Sequence, residues 1–479
     1  MWSRAGRNSV HPLIRRGLPR GRPSWNVFVL IFLSVIGALV YGQSLGFGFF
    51  IFDDAVHITL NPRFRPVSPG NLWWIWTHSL MSVTYTFWAF LASLFGTANP
   101  VPYRVANLGL HILNSYLVFN WIRTVLEQLH KTGEQKKLTL AAFLAGFIFL
   151  AHPVHVENVA WISSTKDLLS FFFGMISFHF YFRSRKVIGD TFELKNVFWT
   201  YVFFLAAVLS KPAAAILPLL YIWLDRVLFA RQVQKSMLEY SIAAIASAFA
   251  VHAYLRVVPM SNLGFVPDLG WRALLSLDAL GFYLAKLLLP FEYYFDYGRT
   301  PLEVIRQFAL NPAAQALTVI ASSLVVAGFV LSYFRKNLQG VHVALGVIIL
   351  GLLPYLGLIP FAFQNLSSVA DRYLYFPSLG LSLAASLAYL HASRPRAALV
   401  IAGTFGIFLS IQTVLQTSTW KSSISVLSHS VARNPSSPHS RKALAHALFA
   451  RGLVEEAMNE MKVLELLKAE RLNESSNSE

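Results

Sequence analysis

The chain has 479 residues, of which 55% are hydrophobic and 13% are charged, and it contains no cysteine. A soluble domain rarely has so few charges, and the apolar residues occur in long blocks, so the composition indicates a polytopic membrane protein. The absence of cysteine excludes disulfides, thiolate metal sites and cysteine nucleophiles. The net charge of +17 comes from short basic runs between apolar blocks, which is an orientation signal and argues against nucleic-acid binding.

The first apolar block, 25–48, follows six arginines and is followed by a pair of carboxylates. Basic residues hold the start of a membrane helix on the cytoplasmic side. Residues 1–24 are therefore predicted to be a cytoplasmic N-terminus, and Asp53 and Asp54 to emerge on the outer face. Two acids at this depth are expensive to place together and favour chemistry, although a helix-end turn with solvated aspartates is the alternative. The block is too long for a removed signal peptide and lacks its small-residue cleavage site.

Eleven segments of the chain are predicted to be membrane helices, which need about 20 residues each. Five basic clusters between these segments can all be placed inside, which leaves the N-terminus in the cytoplasm and the C-terminus outside. The sequence thus predicts an all-α polytopic membrane helix bundle in which 25–417 is the transmembrane domain. The predicted spans are 25–48, 104–126, 138–152, 167–183, 196–210, 212–229, 237–258, 313–334, 341–360, 371–391 and 396–417.

The long connections on the outer side are predicted to contain further helices. In 53–103 the tryptophans Trp73, Trp74, Trp76 and Trp88 are typical of helices that lie at the membrane interface. Residues 271–290 are apolar enough to cross, but a crossing there would reverse the charge pattern, so we expect an interfacial or re-entrant helix. The predicted outer-face loops are 53–103, 152–166, 259–312 and 361–370.

The tail, 418–472, is polar and has a helical pattern. Ser440–Arg451, a break at Gly452, and Leu453–Leu467 predict a small helical hairpin similar to one tetratricopeptide (TPR) unit. A lone unit cannot bury its own apolar faces, so the hairpin must dock on the membrane domain, on a second copy or on a partner. Residues 473–479 are predicted to be a disordered end.

Four polar sites fall on the outer face in this orientation, and each has a plain structural alternative. His152 and His155 are residue types that bind metals, but a hydrogen-bonded loop is the favoured account of them. Lys211 could snorkel to the interface, and Asp371 with Arg372 could be a local ion pair at a helix start. The sites are Asp53 and Asp54 with His57; His152, His155 and Glu157 followed by Trp161, Lys166 and Asp167; Lys211; and Asp371-Arg372-Tyr373 with Tyr375.

Six stretches of the chain occur in an order that resembles a known family. They are Phe52-Asp53-Asp54 with Asn61-Pro62; Tyr103-Arg104-Val105-Ala106-Asn107-Leu108-Gly109-Leu110-His111; His152-Pro153-Val154-His155-Val156-Glu157 with Trp161-Ile162 and Lys166-Asp167; Ser210-Lys211-Pro212; Asp371-Arg372-Tyr373-Leu374-Tyr375; and the tail from Trp420. Together they resemble the polyprenyl-phosphate-sugar-dependent membrane glycosyltransferases of the C-type (GT-C) fold. The likeness is greatest to the transmembrane and TPR-repeat protein O-mannosyltransferases and their bacterial relatives. The chain departs from that pattern at Met81–Thr84, where the family carries Arg-Pro, and at Arg104, where it carries His.

The resemblance implies transfer of a sugar, in this family often mannose, from a polyprenyl phosphate to an acceptor hydroxyl. It places Asp53 as the general base and Asp54 as the group that orients the acceptor or a bound cation. Two like charges this close raise one pKa, so the assignment between the two aspartates stays open. Glu157 is the second acid, which positions the acceptor or completes, with Asp54, the site of a divalent cation, the one cofactor left open.

The leaving phosphate of such a donor develops negative charge and needs fixed cations. Lys211 and Arg372 are the first choices to bind it, and Arg104 is the third. His57, His152, His155, Lys166, Asp167, Asp371, Tyr373 and Tyr375 are expected to support the site.

The expected partners are membrane lipids, a lipid-linked sugar donor and an exported protein with Ser or Thr hydroxyls, and nucleic acid is not among them. A bacterial inner membrane with the tail in the periplasm fits the cysteine-free chain and short tail better than the endoplasmic reticulum of a eukaryote. The alternative acceptor is a glycolipid or lipid A, and the alternative function is a non-catalytic scaffold that presents the tail.

Overall fold

The computed structural model of the protein describes residues 23–185, 194–229, 237, 240–241, 244–249, 252 and 265–476. Within these residues the chain forms helices and no strand, as expected of apolar segments whose backbone groups must pair internally. Most of the predicted span 237–258, most of 1–24 and the last residues of 473–479 lie outside the described residues.

The α-helices are numbered in chain order, and short 3₁₀ turns connect several of them. They are α1 Pro23–Tyr41, α2 Pro69–His78, α3 Ser82–Phe95, α4 Val101–Leu129, α5 Gln135–Ala151, α6 Val156–Ala160, α7 Thr165–Arg185, α8 Leu194–Ser210, α9 Leu217–Val227, α10 Leu269–Leu288, α11 Pro301–Leu310, α12 Pro312–Tyr333, α13 Gln339–Leu352, α14 Ser378–His391, α15 Pro395–Thr419, α16 Ser423–Arg433, α17 Pro438–Phe449 and α18 Val454–Ser476.

Four of the described helical segments are long and apolar enough to cross a membrane. These are Trp25–Gly46, Pro312–Tyr333, Lys336–Tyr355 and Pro395–Thr419. A fifth crossing results if α5 and the segment Pro153–Ala160, which meet at a bend of 49°, are counted as one broken span. Other helices over predicted spans are shorter or more polar; α7, for example, has an acidic residue in its first turn and arginines in its last.

The centre of the bundle is formed by α4, α5, α7 and α14, which share the largest cluster of buried apolar side chains. Eleven of the 17 residues of α5 are buried. This explains why its sequence is a nearly continuous apolar run without a polar face. Helices α1 and α15 pack against this centre from one side and expose many apolar side chains, as lipid-facing helices do.

The loop between α1 and α4 carries the tryptophans that were predicted to lie at the interface. Trp73, Trp74 and Trp76 on α2 are exposed, but Trp88 on α3 is fully buried. The prediction for Trp88 is wrong because its ring stacks on the imidazole of His57, with ring centroids 5.6 Å apart. Trp88 therefore belongs to the packing behind the aspartate pair.

The segment predicted as an interfacial or re-entrant helix, 271–290, forms α10 without an internal break. It packs along α12, one of the helices that is apolar enough to cross.

The tail forms α16 followed by the hairpin of α17 and α18, and the chain turns between the last two at Gly452, whose φ is +76°. Of the three ways to cover its faces, the structure shows docking on the membrane-associated part. Trp420 and Leu427 share one buried cluster with Phe50 and Phe295. The docking also has a polar component, since Ser437 and Ser440 donate hydrogen bonds to the buried carboxylate of Asp296. The tail therefore covers the loop that carries the aspartate pair.

Gly380 on α14 is a sensitive contact of this packing, because a Cβ atom there would lie 2.4 Å from the backbone oxygen of Ala344 and 2.6 Å from Ile348 Cγ1 on α13. We expect Gly380→Ala to force the two helices apart and to cost about 1–3 kcal/mol of unfolding free energy. Gly403→Ala is the matched control, since nothing lies within 4 Å of its added Cβ atom. Thermal unfolding of the purified protein in detergent should show a lower midpoint for Gly380→Ala only; equal midpoints would contradict the packing.

Candidate functional site

Asp54 is fully buried at the end of the first membrane helix and holds the loop around it in place. Its carboxylate accepts hydrogen bonds from the backbone N–H of Phe50, at 3.0 Å, and from the backbone N–H of Ser163, at 2.8 Å. The Ser163 hydroxyl donates a further bond to the same carboxylate. Burial raises the pKa of Asp54 above its ordinary value, although these donors oppose the shift. Asp54 thus joins two loops and does not face solvent.

Asp53, the neighbouring acid, points the other way and is 46% exposed. Its carboxylate lies 3.5 Å from Lys166 Nζ and 3.8 Å from His57 Nε2. Burial raises the pKa of Asp53, but the charges of Lys166, His57 and Arg372 outweigh burial, so the net pKa lies below the ordinary value. Asp53 is therefore an ionised carboxylate that a second molecule can reach.

His57 lies beside Asp53 and is itself held by two aromatic residues. Its Nδ1 atom is hydrogen-bonded to the hydroxyl of Tyr85 at 2.7 Å, and its ring stacks on Trp88. Burial and the nearby charge of Lys166 lower the pKa of His57 to about 4, so the imidazole is neutral near pH 7. Its Nε2 atom faces the Asp53 carboxylate and is fixed there by these two contacts.

His152 and His155 are fully buried and belong to a hydrogen-bonded loop. His152 Nε2 donates to the carbonyl of Leu287 at 3.2 Å, and His155 Nδ1 donates to the carbonyl of Phe149 at 2.8 Å. His155 Nε2 lies 2.9 Å from the hydroxyl of Ser378. Both ring nitrogens of each histidine therefore have protein partners, which agrees with the structural alternative.

Glu157 and Arg372 form a buried ion pair, with a distance of 2.6 Å between Oε1 and Nη1. The second carboxylate oxygen accepts from the backbone N–H of Arg372 at 3.0 Å. The guanidinium lies over three aromatic rings, those of Phe363 at 4.1 Å, Tyr373 at 4.8 Å and Trp161 at 5.6 Å. Glu157 consequently orients Arg372 and joins α6 to the loop before α14.

Arg104 is 1% exposed, and its guanidinium faces backbone carbonyls of two segments, the one that follows α1 and the end of α6. It donates to the carbonyls of Phe47, at 2.8 Å, and Ala160, at 2.6 Å, and to that of Gly48. A guanidinium with these partners holds loops together, and this geometry does not favour the expected binding of a phosphate.

Lys211 is the extended residue between α8 and the 3₁₀ turn that precedes α9. Its ammonium forms an ion pair with Asp167 at the start of α7. Both side chains line a cavity that is partly open to solvent. Arg372 and Tyr373 line the same cavity. The other lining residues are Ser170, Phe171, Gly174, Ala213, Ala214, Ile216, Leu217, Gly351, Tyr355, Tyr375 and Phe376.

The remaining residues of the Asp371–Tyr375 stretch have different positions. Asp371 is buried and accepts from the hydroxyl of Tyr297 at 2.7 Å, and burial together with the charge of Glu157 holds its pKa well above the usual range. The hydroxyl of Tyr375 lies 2.8 Å from His111 Nδ1 and accepts from Asn114 Nδ2 at 3.1 Å. Asp371 thus holds the loop through its buried hydrogen bond to Tyr297, while Tyr373 and Tyr375 contribute to the cavity wall.

A chain of short contacts connects the exposed aspartate with the cavity. Asp53 contacts Lys166, the ammonium of Lys166 lies 5.6 Å from the ring of Trp161, and the same ring lies 5.6 Å from the guanidinium of Arg372. Lys211 and Arg372 line the cavity, and this series of contacts places Lys166 and Asp53 near it, although neither is among its lining residues. Asp54 and Arg104 do not line the cavity either.

Sequence reasoning missed several residues on which this arrangement depends. Ser163 holds Asp54, Tyr85 holds His57, and Tyr355 stacks on Tyr373 with ring centroids 4.1 Å apart. These serine and tyrosine residues stand alone in the sequence and gave no spacing signal.

The carboxylates proposed for a cation, those of Asp54 and Glu157, each already accept two or more hydrogen bonds from protein. Among the residues that the structure describes, no group of three or more His, Asp and Glu side chains is placed to hold a metal ion. The donor set therefore does not fit the divalent cation.

Comparison with known proteins finds relatives that are named protein O-mannosyl-transferases. The chain is 24% identical over 460 residues to protein O-mannosyl-transferase F38B6.6 of Caenorhabditis elegans, which covers 90% of this chain and 61% of that protein. It is 31% identical over 183 residues to protein O-mannosyl-transferase TMTC4 of Mus musculus, which covers 35% of this chain and 24% of that protein. The chain resembles the TMTC protein O-mannosyl-transferases. Another such relative is TMTC1 of Homo sapiens, 28% identical over 180 residues, 33% of this chain and 19% of that protein.

This resemblance is one of sequence alone, since no protein-family profile and no solved structure matches the chain. The chain spans from a quarter to three fifths of the length of the TMTC relatives first compared.

The buried pair of Glu157 and Arg372 generates a stability prediction. Glu157→Gln leaves a buried guanidinium without a counter-charge, and we expect a loss of about 3–5 kcal/mol of unfolding free energy. The double variant Glu157→Gln/Arg372→Leu removes both charges and should lose less than the single variant. Denaturant titration in mixed micelles checks this order, and a double variant less stable than Glu157→Gln would contradict it.

Proposed function

We propose that this protein is a membrane glycosyltransferase that moves a mannosyl group from a polyprenyl phosphate to a Ser or Thr hydroxyl of an exported protein. The names of the relatives support the reaction class. The observation that carries the proposal is that Lys211 and Arg372 line one cavity, to which Asp53 is connected through Lys166. Fixed cations beside an accessible carboxylate suit transfer from a phosphate leaving group to a hydroxyl.

The cavity wall contains both charged and apolar residues, and each kind suits one part of the donor. Lys211 and Arg372 would bind the phosphate, the lysine as a point charge and the arginine as a fork. Apolar residues of the wall would contact the first isoprene units of the lipid. These apolar residues are Gly174, Ala214, Leu217, Gly351 and Phe376.

In the proposed reaction the acceptor oxygen attacks the anomeric carbon of the sugar with inversion. The new C–O bond forms as the bond from the anomeric carbon to the phosphate oxygen breaks, and its electron pair leaves with the phosphate. Asp53 accepts the hydroxyl proton, which its ionised state and its exposure permit. Lys211 and Arg372 stabilise the charge that develops on the phosphate.

In this proposal the other expected site residues act through Asp53, Lys166, Lys211 and Arg372. Asp54 positions Asp53 by holding the loop, and Glu157 positions Arg372. Arg104 is left out of phosphate binding because backbone carbonyls occupy its guanidinium.

We also propose that the site opens on the outer face of a membrane crossed eleven times, with a TPR-like tail on the same side. The placement of basic clusters supports this orientation, and so does the docking of α16–α18 on the loop that carries Asp53. A bacterial inner membrane with a periplasmic tail is the proposed location.

Asp53→Asn tests the proposed base. We expect mannosyl transfer to fall by about 10²–10⁴-fold, because the amide cannot accept the proton. Asp268→Asn is the matched control, since Asp268 is an exposed helix cap in another loop and asparagine also caps. The assay is mass spectrometry of a serine-rich peptide incubated with purified protein and polyprenyl-phosphate mannose. Full transfer by Asp53→Asn would refute the role of Asp53, and a glycolipid modified in place of the peptide would refute the acceptor.

Lys166→Gln tests the electrostatic support of the same base. Removing the ammonium takes away the largest of the influences that lower the pKa of Asp53, so we expect that pKa to rise. Asp53 must be ionised to act, so the acid limb of kcat/KM against pH should move to higher pH. Lys166→Arg keeps the charge and should keep the wild-type profile; an unmoved limb in Lys166→Gln would contradict the assignment.

A further inference from the structure

Asp167 is a cavity residue to which the proposed reaction gives no task beyond pairing with Lys211. It is 6% exposed and lines the cavity together with that lysine. Its Oδ1 atom accepts from Lys211 Nζ, but its Oδ2 atom has no hydrogen-bond partner among the described residues. A buried carboxylate oxygen without a hydrogen-bond donor is costly. A ligand that enters the cavity can supply the missing hydrogen-bond donor.

Two aromatic rings line the same cavity as Asp167. Tyr355 and Tyr373 both line the cavity and are stacked, with ring centroids 4.1 Å apart and an interplanar angle of 8°. The ammonium of Lys211 lies 5.1 Å from the centre of each ring. One small volume thus contains a hydrogen-bond acceptor, an aromatic surface and a cation.

These three features match the three parts of a glycosyl phosphate. Sugar hydroxyls are hydrogen-bond donors, and a charged carboxylate is the strongest acceptor that a protein offers them. The C–H face of a sugar ring is electropositive and is attracted to the negative face of an aromatic ring. The phosphate requires the cation. A lipid phosphate without a sugar would use only the last of these groups.

We propose that Asp167 binds the sugar of the donor, accepting hydroxyl hydrogen bonds at Oδ2 while Lys211 turns from Asp167 toward the phosphate. This inference rests on the proposed function and adds to it the contact that tells a glycosyl phosphate from a bare polyprenyl phosphate. Asp167 is a binding residue in this arrangement and exchanges no proton. A purely structural Asp167–Lys211 pair would support the fold and give no preference for the sugar.

The test is equilibrium binding of two probes, a short polyprenyl phosphate and the same lipid carrying mannose, to the full chain in micelles. We expect the wild-type protein to bind the mannosyl lipid at least tenfold more tightly, the size of a charge-assisted hydrogen bond. Asp167→Asn should lose most of this preference and keep binding of the bare phosphate. Lys211→Gln should weaken binding of both lipids.

The outcomes separate this inference from the proposed function. Wild-type preference for the mannosyl lipid that persists in Asp167→Asn overturns the role of Asp167 and leaves the transferase proposal standing. Wild-type protein that binds neither lipid overturns the transferase proposal and the inference with it.

A second measurement does not depend on the folding of a variant. Wild-type protein is titrated with mannosyl lipids that lack one hydroxyl at a time. At least one deoxy donor should bind roughly tenfold more weakly than the parent, and that donor should show no further loss with Asp167→Asn. Equal affinity across the whole deoxy series would overturn the inference.

Discussion

The buried ion pair of Glu157 and Arg372 is the contact on which the arrangement of the site depends. It links the loop that follows α5 to the loop that precedes α14, segments more than 200 residues apart in the chain. Each partner would be expensive to bury alone, and the aromatic rings around the guanidinium exclude water from both. The two loops are held together as a result, and the cavity and the exposed aspartate become neighbours.

The same pairing of charge recurs around the cavity. Lys211 is paired with Asp167, and Lys166 lies beside Asp53. A set of cations near a membrane is stable only when opposite charges or polar groups compensate them. A phosphate ligand must therefore compete with a carboxylate for its cation. Binding of the phosphate requires the cation to exchange the carboxylate for the phosphate. The outermost member, Asp53, is the most exposed and can meet a second substrate.

Much of the fold class could be predicted from local patterns. Long apolar blocks indicated an all-helical membrane protein, and the ordered motifs indicated the resemblance that the comparisons bear out. Spacing could not give the tasks of Asp54 and Arg104, because adjacent acids and a lone arginine look the same in sequence whether they face a ligand or a backbone carbonyl. Trp88 was misjudged for the same reason, since its partner His57 lies 31 positions earlier and on another element.

The sequence alone determined which segments are apolar, where they end and which acidic, basic and histidine residues stand at their ends. These features depend only on hydropathy and on residue type over a few helical turns. The tertiary structure decided which of those residues meet. Only packing of distant helices turns Asp54 inward and Asp53 outward, occupies Arg104 with the backbone, and leaves one oxygen of Asp167 free inside a cavity. These outcomes depend on contacts between segments far apart in the chain, which no local pattern encodes.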